Sequence, residues 1–162
     1  MAPSPKRNIA KKNPLSIEHS ARTAVAAVVS LLVARLFGLQ EAYWSTITTL
    51  VVMQSTLGAT LPVSAQRITG TALGAAVGAL ASTYYPGNAL VFGMCLLMVG
   101  IVFAPLRLER SSYRYAGMTM AIVMLVPAHS GWVLALHRFF EVSVGIAVGL
   151  VISALWPERL AH

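Results

Sequence analysis

From Ser20 onward the chain alternates between long apolar runs and short clusters of glycine, proline, polar and charged residues. Six runs stand out: about Ser20 to Phe37, Tyr43 to Leu57, Leu61 to Tyr85, Ala89 to Pro105, Tyr113 to Pro127 and Trp132 to Trp156. A helix needs roughly 20 apolar residues to cross the hydrocarbon of a bilayer, and each run reads as one such helix. The breaks between them carry turn chemistry: Gly38 to Glu41, Gly58 to Thr60, Pro86-Gly87-Asn88, Arg107 to Ser112, and His129-Ser130-Gly131. The pattern predicts an all-α integral membrane protein with six transmembrane helices over residues 20–157. Residues 1–19 hold Pro3, Pro5, Pro14, Lys6, Arg7, Lys11 and Lys12, and read as a disordered basic cytoplasmic arm. Residues 158–162 read as a short cytoplasmic tail. No cleaved signal peptide is expected, because no apolar stretch precedes residue 20 and no small-residue cleavage site stands out.

Composition strengthens this reading. Of 162 residues, 57% are hydrophobic and 10% charged, whereas a soluble domain carries about a quarter charged residues. Disorder is excluded by the same apolar excess, and a disulfide scaffold by the single cysteine, Cys95. The net charge is +7, and its distribution matters more than its size. With six spans the termini share one face, which receives Lys6, Arg7, Lys11, Lys12, Arg22, Arg67, Arg107, Arg110, Arg114 and Arg159, against Arg35 and Arg138 on the other. Basic residues mark the cytoplasmic face, so both termini are expected there. Nucleic acid is excluded as a partner, because the charge follows a membrane face and no aromatic stacking platform accompanies it. Tyr43, Trp44, Tyr84, Tyr85 and Trp132 are expected at the outer interface, and Tyr113, Tyr115 and Trp156 at the inner one.

Sliding the sequence by 71 residues brings the third span onto the sixth. Arg67 meets Arg138, Gly74 meets Gly145, Ala76-Val77-Gly78 meets Ala147-Val148-Gly149, Ser82 meets Ser153 and Pro86 meets Pro157, seven identities in twenty positions. Thr48 falls on Thr119, and Val52-Met53 on Val123-Met124. The first and fourth spans share little beyond apolarity. Three spans per unit is an odd number, so the second unit enters the membrane inverted. Such 3+3 inverted repeats recur in secondary transporters, whose sites lie between the units and involve unusually short helices. The second and fifth spans, at about 15 residues each, fit that description.

Candidate chemistry is sparse, and most of it has a plain structural alternative. Gly70, Gly74 and Gly78 on the third helix, with Gly145 and Gly149 on the sixth, form small-residue seams for close helix packing. Gln54 and the hydroxyls around it, Thr48 among them, imply a second span surrounded by protein. Arg67 lies about six residues, or roughly 9 Å, into its expected helix, and is either a snorkelling anchor or an anion site. Arg138 has Glu141 one turn on, which is either a local ion pair or part of a coupling site. Under the offset Glu141 corresponds to Gly70. Arg67 thus lacks a fixed counter-ion, beside a small residue expected to leave room for a carboxylate. Arg22 reads as an interfacial anchor, Cys95 as core filling. No enzyme arrangement, no cofactor motif and no metal set is present; His19, His129, His137 and His162 are split between faces.

The run Tyr43-Trp44-Ser45-Thr46-Ile47-Thr48-Thr49-Leu50-Val51-Val52-Met53-Gln54 resembles the second-helix signature of the fusaric acid resistance and aromatic acid exporter superfamily. Ala65-Gln66-Arg67-Ile68-Thr69-Gly70-Thr71-Ala72-Leu73-Gly74 is similar to its Arg-Ile-x-Gly-Thr motif. Arg138-Phe139-Phe140-Glu141 with Gly145 and Pro157 is similar to its sixth-helix pattern. The resemblance covers roughly residues 16–160. It implies a six-helix unit in the bacterial inner membrane, efflux of aromatic carboxylates, and distant kinship to plant malate channels. Larger members append a cytoplasmic domain and often a second membrane unit, so this shorter chain is expected to assemble as a homodimer or to serve another task. The expected function is export of small organic anions, with Arg67, Arg138, Thr48 and Gln54 binding the substrate and Glu141 coupling it to protons. A passive anion channel and a membrane scaffold that needs a partner are the alternatives.

Overall fold

The computed structural model describes residues 17–54, 56–104, 109–126 and 130–156. Six helices and no strand occur among the described residues: α1 (Ile17–Leu36), α2 (Tyr43–Val52), α3 (Leu57–Tyr84), α4 (Ala89–Phe103), α5 (Arg110–Leu125) and α6 (Gly131–Leu155). Of the expected basic arm, only Ile17, Glu18 and His19 are described, and they open α1. Residues 1–16 and the tail 158–162 lie outside the described residues, as do Arg107, His129 and Pro157.

The helix boundaries follow local chemistry. Gly38 takes φ +69° after α1, the left-handed conformation in which a residue with a Cβ is disfavoured. Asn88 caps α4, its Oδ1 accepting from the Leu90 and Val91 N–H groups at 3.0 and 3.2 Å. Gly87, at φ +70°, donates its N–H to the Met124 carbonyl at 2.9 Å and ties this turn to the end of α5. The link between α2 and α3 departs from the sequence expectation. Helix α2 stops at Val52, Met53 is extended (φ −60°, ψ 118°), and α3 begins at Leu57. Thr56 caps it, accepting from the Ala59 N–H at 3.2 Å. The expected break at Gly58 to Thr60 is therefore the first turn of a 28-residue helix. One turn further on is Pro62, whose missing N–H leaves the Gly58 carbonyl without its intrahelical donor.

Helices α2, α3, α5 and α6 make the centre, and α1 and α4 flank it. On α1 only Arg22, Ala26, Ser30 and Ala34 are buried, one stripe at a spacing of four; on α4 only Val99 and Phe103 are. The outward faces of both are apolar, with Leu90 81% and Leu97 65% exposed. By length and composition α1 and α6 suffice to cross a membrane, and α4 is apolar but shorter. Contacts fix the directions. Gly70, Gly74 and Gly78 ascend α3 while meeting Ser112, Ala116 and Met120 of α5, so these two helices run parallel. Gly145 and Gly149 of α6 meet Ser45 and Val52 of α2, again parallel. Ser82 of α3 lies against Gly131 and Thr60 against Ser153, so α3 and α6 are antiparallel.

Candidate functional site

Two helix pairs carry the centre, and they are the same pair twice. A Cβ on Gly74 would collide with the Ala116 carbonyl, and one on Gly145 with the Ser45 carbonyl. Positions 74 and 145 are offset by 71, and so are 45 and 116. A Cβ on Gly78 would press on Val123, and one on Gly149 on Val52 at 2.8 Å, again offset by 71. The third helix of each half thus packs on the middle helix of the other. The glycines let the backbones close in, as small residues do wherever helices associate without a hydrophobic drive.

Two of the three arginines buried among the described residues, Arg67 and Arg138, stand on this crossed seam. The Arg67 guanidinium lies over the Tyr115 ring, 4.7 Å from its centroid, and that of Arg138 over the Trp44 ring at 4.5 Å. Residues 44 and 115 share the 71-residue offset, so each half's arginine stacks on the other half's aromatic. Cation–π attraction strengthens once water is removed, and both arginines are buried.

Beyond the ring the two sites diverge. Arg138 Nη1 donates to Glu141 Oε2 at 3.0 Å, its Nη2 pairs with Glu41 Oε2, and the Glu41 N–H donates to Glu141 Oε1 at 3.2 Å. One guanidinium therefore joins two carboxylates and fastens the α1–α2 turn to α6. Around Arg67 no carboxylate lies within ion-pair distance among the described residues. Its Nη2 donates to Thr48 Oγ1 at 3.5 Å, and Nη1 faces Met118 Sδ at 3.9 Å. Arg67 Nε has no hydrogen-bond partner, nor do the buried hydroxyls of Ser64 and Thr71, one turn to either side on α3. Their counterparts on α6 are Ala135 and Val142. The polar load has collected around the arginine without acids.

Four expectations are corrected here. Gly70 leaves no room: a Cβ there would strike the Ser112 carbonyl and the Tyr115 side chain. The reason is that α5 begins at Arg110, one turn earlier than α2 in repeat numbering. That extra turn fills the place which Glu141 occupies in the other half. Arg67 is deeper than expected, ten residues or roughly 15 Å from the start of α3. Gln54 is separated from it: its backbone carbonyl accepts from Arg22 and its N–H donates to Thr60 Oγ1 at 3.3 Å. Arg22 itself is fully buried, not an interfacial anchor. Thr48 does join Arg67, and Glu141 joins Arg138, but the two arginines form separate clusters.

The sequence matches the family described as fusaric acid resistance protein-like over residues 25–152, which takes in both clusters. The chain belongs to this family. Inner membrane protein YeeA of Escherichia coli (strain K12) is 30% identical over 153 residues, covering 88% of this chain and 42% of the relative. Inner membrane protein YccS of the same organism is 28% identical over 148 residues, 86% of this chain and 20% of the relative. The chain thus spans less than half the length of these curated relatives. No solved structure matches it. Within this fusaric acid resistance-like unit, the sequence reading did not single out Glu41, Ser64 and Thr71, and it took Trp44 and Tyr115 only as interface aromatics, not as partners of the two arginines. The offset that pairs Trp44 with Tyr115 was the signal that could have found the two aromatics.

Proposed function

We propose that this chain is a transport unit of the bacterial inner membrane that exports small aromatic carboxylates. In this reading residues 20–157 span the membrane six times as a 3+3 inverted repeat. Both termini are cytoplasmic, and two copies assemble as a dimer. Family membership, two relatives named as inner membrane proteins and the two long apolar helices support the membrane setting. The single observation that carries the substrate class is Arg67. It is a buried guanidinium with an unpaired Nε, flanked by two unpartnered hydroxyls and Thr48. An unpaired buried charge is costly, and a carboxylate would complete this donor set with charge-assisted hydrogen bonds. Arg67, Thr48, Ser64 and Thr71 thus form the anion site. Arg138 is committed to its own acids, and Glu141 with Glu41 is placed to carry the proton that couples export.

The test is flux of a labelled benzoate panel from proteoliposomes. Wild-type protein should export against a gradient when a proton gradient is imposed. Arg67→Lys keeps the charge but loses the planar fork; losing a hydrogen bond to a charged group should slow export by about tenfold or more. Purely electrodiffusive flux without proton dependence would make the unit a channel. No flux from the purified protein, with flux restored by a co-purifying partner, would make it a scaffold.

A further inference from the structure

The two ends of the four-helix centre are built from repeat-equivalent residues, yet they are closed differently. Where α2 and α6 finish, Arg22 donates from Nη1 to the Trp156 carbonyl at 3.0 Å and from Nη2 to the Gln54 carbonyl. Thr60 Oγ1 accepts from the Gln54 N–H and lies 3.4 Å from Ser153 Oγ, and the Ser153 hydroxyl donates to Met53 Sδ at 3.5 Å. Helix C-termini concentrate carbonyl dipoles and favour a cation. Arg22 therefore ties α1, the α2–α3 link and α6 into one closed end.

Where α3 and α5 finish, a cavity of about 600 Å³ opens among Ser82, Met124, Leu125, Gly131 and Trp132. Under the 71-residue offset these are the counterparts of Ser153, Met53, Gln54, Thr60 and Leu61. The walls correspond; the ties do not. Thr60 is replaced by Gly131, and Ser82 turns its hydroxyl onto the Ala79 carbonyl of its own helix at 3.0 Å. Helix α4, the counterpart of α1, has no charged residue from Ala89 to Phe103 that could act as Arg22 does.

We propose that the structure holds the unit open at the Trp132 end and shut at the Arg22 end, with Arg22 the latch whose release opens the shut end. This rests on the transport reading, but its test reads access and not flux. Ser82 and Ser153 are matched probes, one beside the cavity and one fully buried. In a Cys95→Ser background, Ser82→Cys and Ser153→Cys proteins in proteoliposomes are exposed on both sides to a membrane-impermeant maleimide. The Ser82→Cys thiol should react at least about tenfold faster. Adding Arg22→Met should speed the Ser153→Cys reaction by about tenfold, the scale of lost hydrogen bonds to a charged donor. Arg22→Lys, which still donates, should speed it less. Thr60→Val removes the other tie at constant volume and should also speed it, which keeps the test open if Arg22→Met fails to fold. Equal rates for the two thiols with Arg22 intact, or a Ser153→Cys rate unmoved by Arg22→Met and Thr60→Val, would overturn the latch. Benzoate flux that fails while these rates hold would overturn the transport reading alone.

Discussion

At the scale of single residues, the two arginines differ in what depends on them. Removing Arg138 leaves Glu41 and Glu141 facing each other, and breaking a buried ion pair from one side costs about 3–5 kcal/mol. Arg138→Gln should therefore lower the thermal midpoint of the detergent-solubilised protein far more than Arg67→Gln, since among the described residues no carboxylate relies on Arg67. Equal midpoints would show that the triad contributes nothing to the fold. For Glu141 the readout is functional. Glu141→Gln should still bind labelled benzoate but lose the dependence of export on the pH gradient, and an unchanged dependence would remove Glu141 from coupling. Arg67, Arg138 and Glu141 were legible because ionised groups inside apolar runs are few. Gln54 was misread for a local reason: α2 ends two residues before it, so its backbone is busy at the helix exit and it stands apart from Arg67. Glu41 was hidden in a turn, and no property of a turn glutamate announces that it will fold back onto Arg138.

Among the elements, the glycine seams make the sharpest forecast. Gly74→Ala and Gly145→Ala each drive a methyl into a backbone carbonyl on the facing helix, and overpacking of this kind costs about 1–3 kcal/mol. Both should lower the thermal midpoint, while Gly93→Ala, with nothing within 4 Å, should leave it unchanged or raise it. Equal effects at all three positions would mean that the seams are not under steric limit. Six helices and their order were readable from hydropathy because each apolar run is bounded by turn residues. Their lengths were not. Gly58, Thr60 and Pro62 look like breakers, yet Thr56 caps the helix upstream and Pro62 is tolerated near its start. Conversely Met53 and Gln54 look helical and lie outside any helix. A hydropathy run does not record where a backbone turns while staying apolar.

For the whole molecule, the exposed apolar faces of α1 and α4 are compatible with lipid, or with a second copy. The proposed dimer should appear as a cross-linked pair in native membranes and as twice the chain mass in mild detergent. A monomer in both would contradict it. The repeat was legible in α3 and α6, where glycines and arginines are spaced by close packing, and illegible in α1 and α4. Those flank the centre under looser constraint, Arg22 facing inward on one and no charge at all on the other.

The crossed seams also set a schedule for synthesis. Thr49 of α2 donates its hydroxyl to the Gly145 carbonyl of α6 at 2.9 Å, a contact spanning 96 residues. At translation rates of about 5–20 residues per second, α2 leaves the ribosome roughly 5–20 s before that partner exists. Through that interval its buried Ser45, Thr48 and Thr49 must be sheltered by α1 and by the insertion machinery. A nascent chain stalled before α6 should therefore be a substrate for membrane proteases. The same chain released after Leu155 should resist them.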